Sequence, residues 1–151
     1  MPFPSADGSL LCLDRQLCFA LYAASHRIQR LYRPLLDALG LTYPQFLVML
    51  VLWQHGQKGV GELGHALHLD SGTLTPLLKR LEAAGLVERS RSSEDERRVL
   101  VRATPKGEAL RAQAEGIPHA VACATTLPLD ELADLRARVQ SLLHALDAAG
   151  A

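Results

Sequence analysis

Three cysteines, Cys12, Cys18 and Cys123, are the residues of this 151-residue chain best suited to chemistry. Three thiols cannot close a full set of internal disulfides. No pair of them has zinc-ligand spacing and none lies near a His-x-x-His pattern, so no metal site is expected. What remains is thiol redox chemistry, or burial as a small apolar side chain. A redox-active thiol should be ionised, accessible and within reach of a second thiol. Cys18 falls in the first or second turn of a helical pattern that begins near Leu13. There the backbone N–H groups and the positive end of the helix dipole favour a thiolate, and Arg15 is one turn earlier on the same side. On these grounds alone, Cys18 as an ordinary core residue of an apolar helix stands as the competing reading.

A second stretch is built for recognition rather than reaction. From Ser71 to Gly85 the chain reads as a short helix, with Ser71 as N-cap and Gly85 as left-handed terminator. Leu74, Leu77, Leu78 and Leu81 recur at helical spacing and define a buried face. Thr73, Thr75, Lys79 and Arg80 point elsewhere, and Pro76 costs the helix a hydrogen bond. Leu86–Arg91, the charged run 92–97 and Arg98–Ala103 then read as strand, tip and strand. A helix followed by a charged hairpin is the layout of a winged helix-turn-helix, although other domains share it and surface arginines are often only solvated.

The remaining elements must hold these two stretches. A long helical pattern runs from about Leu13 to Leu39, carrying Leu17, Leu21, Ile28, Leu31 and Leu35, with a bend expected at Pro34 and a stop at Gly40. Thr42-Tyr-Pro-Gln45 is a capping box that opens a second helix to about His55, apolar nearly all round and therefore central. Gly56 and Gly59 frame a turn. Val60–Leu67 is a third helix despite two glycines, and His65 and His68 are surface residues. Thr104-Pro105 starts a helix that bends at Gly116-Ile-Pro118, and a last helix after Pro128 carries Leu132, Leu135, Val139, Leu142, Leu143 and Leu146 on one stripe. The terminal helices are more apolar than a small winged domain needs. A homodimer is the favoured explanation, since paired recognition helices read a pseudo-palindromic operator on double-stranded DNA.

Composition limits the classes available. At 48% apolar residues the chain is globular, and no apolar run reaches the ~20 residues of a membrane span. The N-terminus lacks the basic region of a signal peptide, so a cytoplasmic protein with free thiols is expected. Formal net charge is +0, unusual for a nucleic-acid binder. Basic residues nevertheless crowd between Lys79 and Lys106, where acids partly offset them, so any basic surface must be a local patch.

Two sets of motifs place the chain more narrowly. The run Leu69-Asp-Ser-Gly-Thr-Leu-Thr-Pro-Leu-Leu-Lys-Arg-Leu-Glu-Ala-Ala-Gly-Leu-Val-Glu-Arg89 with Asp95-Glu-Arg97 closely resembles the recognition helix and wing of the multiple-antibiotic-resistance-regulator (MarR) family. Asp14-Arg-Gln-Leu-Cys-Phe-Ala-Leu-Tyr22, Leu31-Tyr-Arg33 and Leu41–Trp53 resemble the branch of that family that regulates organic hydroperoxide resistance. The resemblance covers nearly the whole chain. It implies a mainly α fold with a small β wing, forming a dimer through interleaved terminal helices (about 13–40 and 105–148) around winged helix-turn-helix lobes (about 43–103). It implies a repressor, not an enzyme, without cofactor, whose inducer is an organic hydroperoxide. By that resemblance Cys18 is the oxidised cysteine and Tyr32 and Tyr43 hydrogen-bond its thiolate. Cys123, before Leu129-Asp-Glu-Leu132, is the second cysteine of a two-cysteine subgroup. Cys12 and the tip Ser92-Ser-Glu94 depart from the pattern.

Several expectations follow. Peroxide would enter an apolar pocket lined by Phe19, Tyr22, Phe46 and Leu50. Cys18 would become a sulfenic acid, and Cys123 of the second subunit would close a disulfide that releases the DNA. Ser71, Thr73, Thr75, Lys79 and Arg80 are assigned to the major groove or its phosphates, and Arg97, oriented by Asp95, to the minor groove. Cys18 and Tyr32 are fourteen positions apart on one predicted helix, about 21 Å along its axis. A pocket containing both must therefore span two chains. A repressor that binds an aromatic acid non-covalently and a thiol peroxidase using the same two cysteines are the alternatives.

Overall fold

The computed structural model describes residues 10–151; the loose arm expected over residues 1–11 falls largely outside them. In chain order the elements are a single 3₁₀ turn (Leu13–Arg15), α1 (Leu17–Asp37), α2 (Tyr43–His55), β1 (Lys58–Gly59), α3 (Val60–Leu67), α4 (Ser71–Ala83), β2 (Val87–Arg91), β3 (Val99–Ala103), α5 (Pro105–Ala114), α6 (Ile117–Ala124) and α7 (Leu129–Ala148). They fall into two compact units. One is Tyr32–Glu115; the other joins the N-terminal stretch through Leu31 to Gly116–Ala151.

The capping box fixes where α2 begins. Thr42 Oγ1 accepts from the Gln45 N–H at 3.4 Å, and the Gln45 side-chain oxygen accepts from the Thr42 N–H at 2.9 Å. With apolar residues on all sides, α2 buries Phe46, Val48, Met49, Leu52 and Trp53. It packs on α3 and α4, whose contributions are Leu63 and the stripe Leu74, Leu77, Leu78 and Leu81. The turn between α3 and α4 needs Gly64. Leu69 N–H donates to the Gly64 carbonyl at 2.9 Å, and a Cβ on Gly64 would stand 2.8 Å from the Leu69 oxygen. That close approach accounts for a helix former as poor as glycine inside α3.

The wing is β2 and β3, antiparallel, with Val87 opposite Ala103 and Arg91 opposite Val99. Val87 and Val101 face the core. Where the sequence suggested only a turn framed by glycines, Lys58 and Gly59 form β1 and pair with Val101 and Leu100, so the sheet has three strands in the order β1-β3-β2. Two residues are too few to show any alternation.

Three further expectations are corrected. The first helix starts at Leu17, not Leu13: Gln16 is extended (φ −87°, ψ 113°), and its side-chain amide donates back to the Leu10 and Cys12 carbonyls at 2.7 and 3.1 Å. Arg15 therefore belongs to the preceding 3₁₀ turn and is not one turn before Cys18 on the same helix. Pro34 lies inside α1, near its end at Asp37. The cap of α4 is Asp70 rather than Ser71; its carboxylate accepts from the Thr73 N–H at 2.7 Å, a charge-assisted bond that a serine hydroxyl does not match. The bend expected near Gly116 is a break, with α5 ending at Ala114 and Pro118 in the first turn of α6. Gly85 does take the left-handed conformation (φ 74°), and Thr104 does cap α5.

The unit built from the chain ends has little interior of its own. Among its described residues only Ile117 and Val121 are buried apolar side chains. No residue of α7 is buried; Leu135 is 53% and Leu146 44% exposed, and Leu13, Leu17, Tyr22 and Leu129 are exposed as well. No helix among the described residues is long and apolar enough to cross a membrane.

Candidate functional site

Helical spacing sorts the polar residues of α4 into two edges. At about 100° per residue, Ser71, Thr75 and Lys79 follow one edge of the exposed face, and Thr73 and Arg80 the other. Four of the five are exposed; Thr75 is half-buried because its edge faces the wing. Thr75, Asp95 and Arg97 line one cleft of about 500 Å³ together with Val60, Arg89 and Arg98. The structure thus brings together three of the seven residues assigned to DNA. Ser71, Thr73, Lys79 and Arg80 lie outside that cleft on the open helix. Among the described residues neither Lys79 nor Arg80 forms an ion pair.

At the wing tip, Asp95 Oδ1 accepts from the Arg97 N–H at 3.0 Å and stands 3.5 Å from Arg97 Nε. The Asp95 carbonyl accepts from the Arg98 N–H at 2.9 Å, closing the turn. Arg97 is left with its side chain 94% exposed.

The residues that aim the wing were not singled out in the sequence. Arg89 donates from Nε and Nη2 to Glu82 Oε2 at 3.0 and 2.7 Å, tying β2 to α4. Arg98 donates to Glu62 Oε2 at 2.6 Å, tying the base of β3 to α3, and that same oxygen accepts from the Gly59 N–H at 2.6 Å. A Cβ on Gly59 would come within 2.9 Å of Arg98 Nε, so a larger residue there would push that guanidinium aside. No local pattern announces a pair 36 residues apart.

Three carboxyls in this unit are held below their ordinary range. The Gly59 N–H and then Arg98 stabilise the Glu62 carboxylate, the Thr73 N–H that of Asp70, and the Arg89 guanidinium that of Glu82. A depressed folded pKa contributes stability that is present above the unfolded value and is lost as pH falls through the folded one. The urea midpoint should therefore drop between about pH 5 and pH 3, and Glu62→Gln with Glu82→Gln should flatten that drop.

All three cysteines are free thiols. Cys18 is the second residue of α1 and exposed; Cys123 is exposed near the end of α6; Cys12 is half-buried. Tyr32 and Tyr43 are brought together, their rings 5.0 Å apart, with Phe46 5.9 Å from Tyr32. Burial raises the pKa of both phenols, and for Tyr32 the neighbouring Tyr43 adds to it, so both remain protonated donors. Of the four residues assigned to a peroxide pocket, Phe46 belongs to the core beside Trp53. Leu50 is exposed on the same helix. Phe19 and Tyr22 are exposed on α1, the Tyr22 ring 4.4 Å from that of His26. Among the described residues no group of three or more His, Cys, Asp or Glu side chains is placed to hold a metal ion.

A helix-turn-helix with a tethered three-stranded wing is the framework of a winged-helix regulator. The sequence pattern of the SarA/Rot transcriptional regulators matches residues 30–113, and the chain belongs to this MarR-like family. It is 46% identical to the organic hydroperoxide resistance transcriptional regulator of Bacillus subtilis, over 89% of this chain and 91% of that protein. It is 52% identical to the HTH-type transcriptional regulator TtmR of Methylorubrum extorquens, over 88% of this chain and 70% of TtmR. Among solved structures, reduced AbfR bound to DNA, a Staphylococcus epidermidis protein, superposes with a TM-score of 0.72 at 35% identity, covering 89% of this chain and 94% of that one. AbfR is also solved overoxidised and bound to DNA (34% identity, TM-score 0.70) and disulfide-formed (33%, 0.62).

Proposed function

We propose that this regulator is a redox-sensing repressor that leaves its operator when organic hydroperoxide oxidises Cys18. The observation that carries the reading is an exposed thiol in the first turn of α1, in a chain 46% identical to a hydroperoxide-resistance regulator. A peroxide can reach and react with an exposed thiol. The protonated pair Tyr32 and Tyr43 supplies donors for it. Because α1 carries Cys18 and Tyr32 fourteen residues apart without a break, the tyrosines that serve one Cys18 come from a second copy of the chain. The uncovered apolar side chains of α1 and α7 favour that homodimer. Peroxide reaches Cys18 beside Phe19 and Tyr22, both exposed on the same helix.

In the reduced dimer, the two α4 helices enter successive major grooves of a pseudo-palindromic operator. Ser71, Thr73, Thr75, Lys79 and Arg80 face bases or phosphates, and Arg97 enters the minor groove with Asp95 setting its angle. Oxidation gives a sulfenic acid at Cys18, and Cys123 of the second copy converts it to an intersubunit disulfide that shifts the lobes out of register. Overoxidised AbfR is found on DNA, which favours placing release on the disulfide rather than on charge at the sulfur.

Operator binding by gel shift, with cumene hydroperoxide and then dithiothreitol, tests the reading. Release that dithiothreitol reverses supports it; binding that persists after full oxidation of Cys18 overturns it. Cys123→Ser should bind the operator normally yet resist release, accumulating sulfenic acid in place of a covalent dimer on a non-reducing gel.

A further inference from the structure

The two cysteines lie at opposite ends of their helices. Cys18 is the second residue of α1. Cys123 is the second-last residue of α6. A resolving thiol must give up its proton, because the nucleophile in disulfide formation is the thiolate.

One side chain is positioned to take that proton. His119 is four residues before Cys123 and shares its face of α6. Its Nδ1 and Nε2 stand 3.7 and 3.8 Å from the Cys123 sulfur, so either tautomer leaves an unprotonated nitrogen within reach. Both side chains are exposed, which leaves the sulfur open to an incoming partner. Among the described residues no other polar side chain is at hydrogen-bond distance from this sulfur. A neutral imidazole nitrogen is a general base of the kind such a step uses.

We propose that His119 is the general base that arms Cys123 for disulfide closure. The proposal rests on the reading of Cys123 as resolving thiol. The step is Cys18–SOH plus HS–Cys123 giving Cys18–S–S–Cys123 and water. His119 accepts the Cys123 proton, the sulfur electron pair forms the S–S bond, and the S–O bond of the sulfenic acid breaks. The leaving oxygen takes the proton back from imidazolium and departs as water. Cys123 is oxidised, the sulfenic sulfur is reduced, and the oxidising equivalent is the organic hydroperoxide already consumed at Cys18.

The experiment compares full-length protein with His119→Ala. Reduced protein is mixed with one equivalent of cumene hydroperoxide in the presence of a chelator and quenched at intervals. A dimedone probe scores sulfenic acid, and a non-reducing gel scores the covalent dimer. Sulfenic acid should form at the unsubstituted rate in both, while the covalent dimer of His119→Ala forms at least about tenfold more slowly and is accelerated by added imidazole. In a Cys12→Ser, Cys18→Ser background, alkylation of Cys123 by iodoacetamide should slow on adding His119→Ala. An unchanged rate of disulfide closure overturns the proposal. So does a slowing that imidazole does not relieve while alkylation of Cys123 is unaffected, since a merely structural role gives that pattern. If the unsubstituted protein accumulates sulfenic acid without ever forming the covalent dimer, the resolving role of Cys123 fails instead, and the proposal falls with it.

Discussion

Cys18→Ser should hold operator DNA as the unsubstituted protein does and lose nearly all of its response to organic hydroperoxide. Serine differs from cysteine by one atom, and at an exposed position in a first helical turn the exchange should change stability by no more than about 0.5 kcal/mol. None of the α4 or wing residues is touched. The hydroxyl neither ionises near neutral pH nor reduces a peroxide, so the sulfenic acid and everything after it are missing. Oxidised unsubstituted protein should fall toward non-specific affinity, on the order of 10³-fold weaker, whereas Cys18→Ser should shift by less than about twofold. Titration of labelled operator, before and after cumene hydroperoxide, reads both numbers. Full release of Cys18→Ser would move the sensing function to Cys12 or Cys123.

The largest expected effect on stability belongs to Gly107→Ala. Gly107 is the third residue of α5, buried, with its N–H donating to Thr104 Oγ1 at 3.1 Å and its carbonyl accepting from Trp53 Nε1 at 3.0 Å. A Cβ there would run into the Leu86 carbonyl oxygen and stand 3.1 Å from Met49 Cε. The methionine can turn aside. The carbonyl cannot, because it accepts from the Thr104 N–H at 3.0 Å, and the Leu86 N–H is bound to the Leu81 carbonyl at 3.0 Å. The methyl must therefore lift α5 from α2 and stretch the Trp53 bond. About 3 kcal/mol of destabilisation is expected, at the upper end for overpacking, or roughly 10 °C in melting temperature for a chain of this size. Gly61→Ala is the control. Nothing lies within 4 Å of its added methyl, so the intrinsic preference for alanine in a helix should stabilise by about 0.5–1 kcal/mol. Equal effects at the two glycines would show that helix propensity alone decides.

What could be read from the sequence was what neighbouring residues decide among themselves. The box at Thr42, the cap at Thr104, the left-handed Gly85 and the stripe of α4 each depend on residues within a turn or two. The winged fold follows from their order. Even here a near tie misled: Asp70 and Ser71 are both good caps, and the stronger acceptor took the role. Gln16 hid the true start of α1 because its hold on Leu10 and Cys12 interrupts a leucine pattern that otherwise continues. β1 is too short to announce itself. The tethers Glu62–Arg98 and Glu82–Arg89 looked like ordinary surface charge, and only the folded chain sets them as struts beneath the wing. For the candidate site, the residue types on α4 and the wing were legible. That Thr75, Asp95 and Arg97 share a cleft while Lys79 and Arg80 stand apart was not, since it depends on how the hairpin leans on the helix.

The commitment of Arg89, Arg98 and Arg102 to Glu82, Glu62 and Glu88 has a bearing on how such a regulator finds its site. Cations already neutralised at home displace few counterions from a duplex, so attraction to arbitrary sequence is shallow and only gently weakened by salt. With a formal net charge of +0, the chain as a whole adds little long-range attraction to a duplex beyond what a local patch supplies. Under the proposed function, residence at any one place would then rest on a handful of unencumbered contacts, a useful economy for a switch that has to vacate promptly once its sulfur is oxidised.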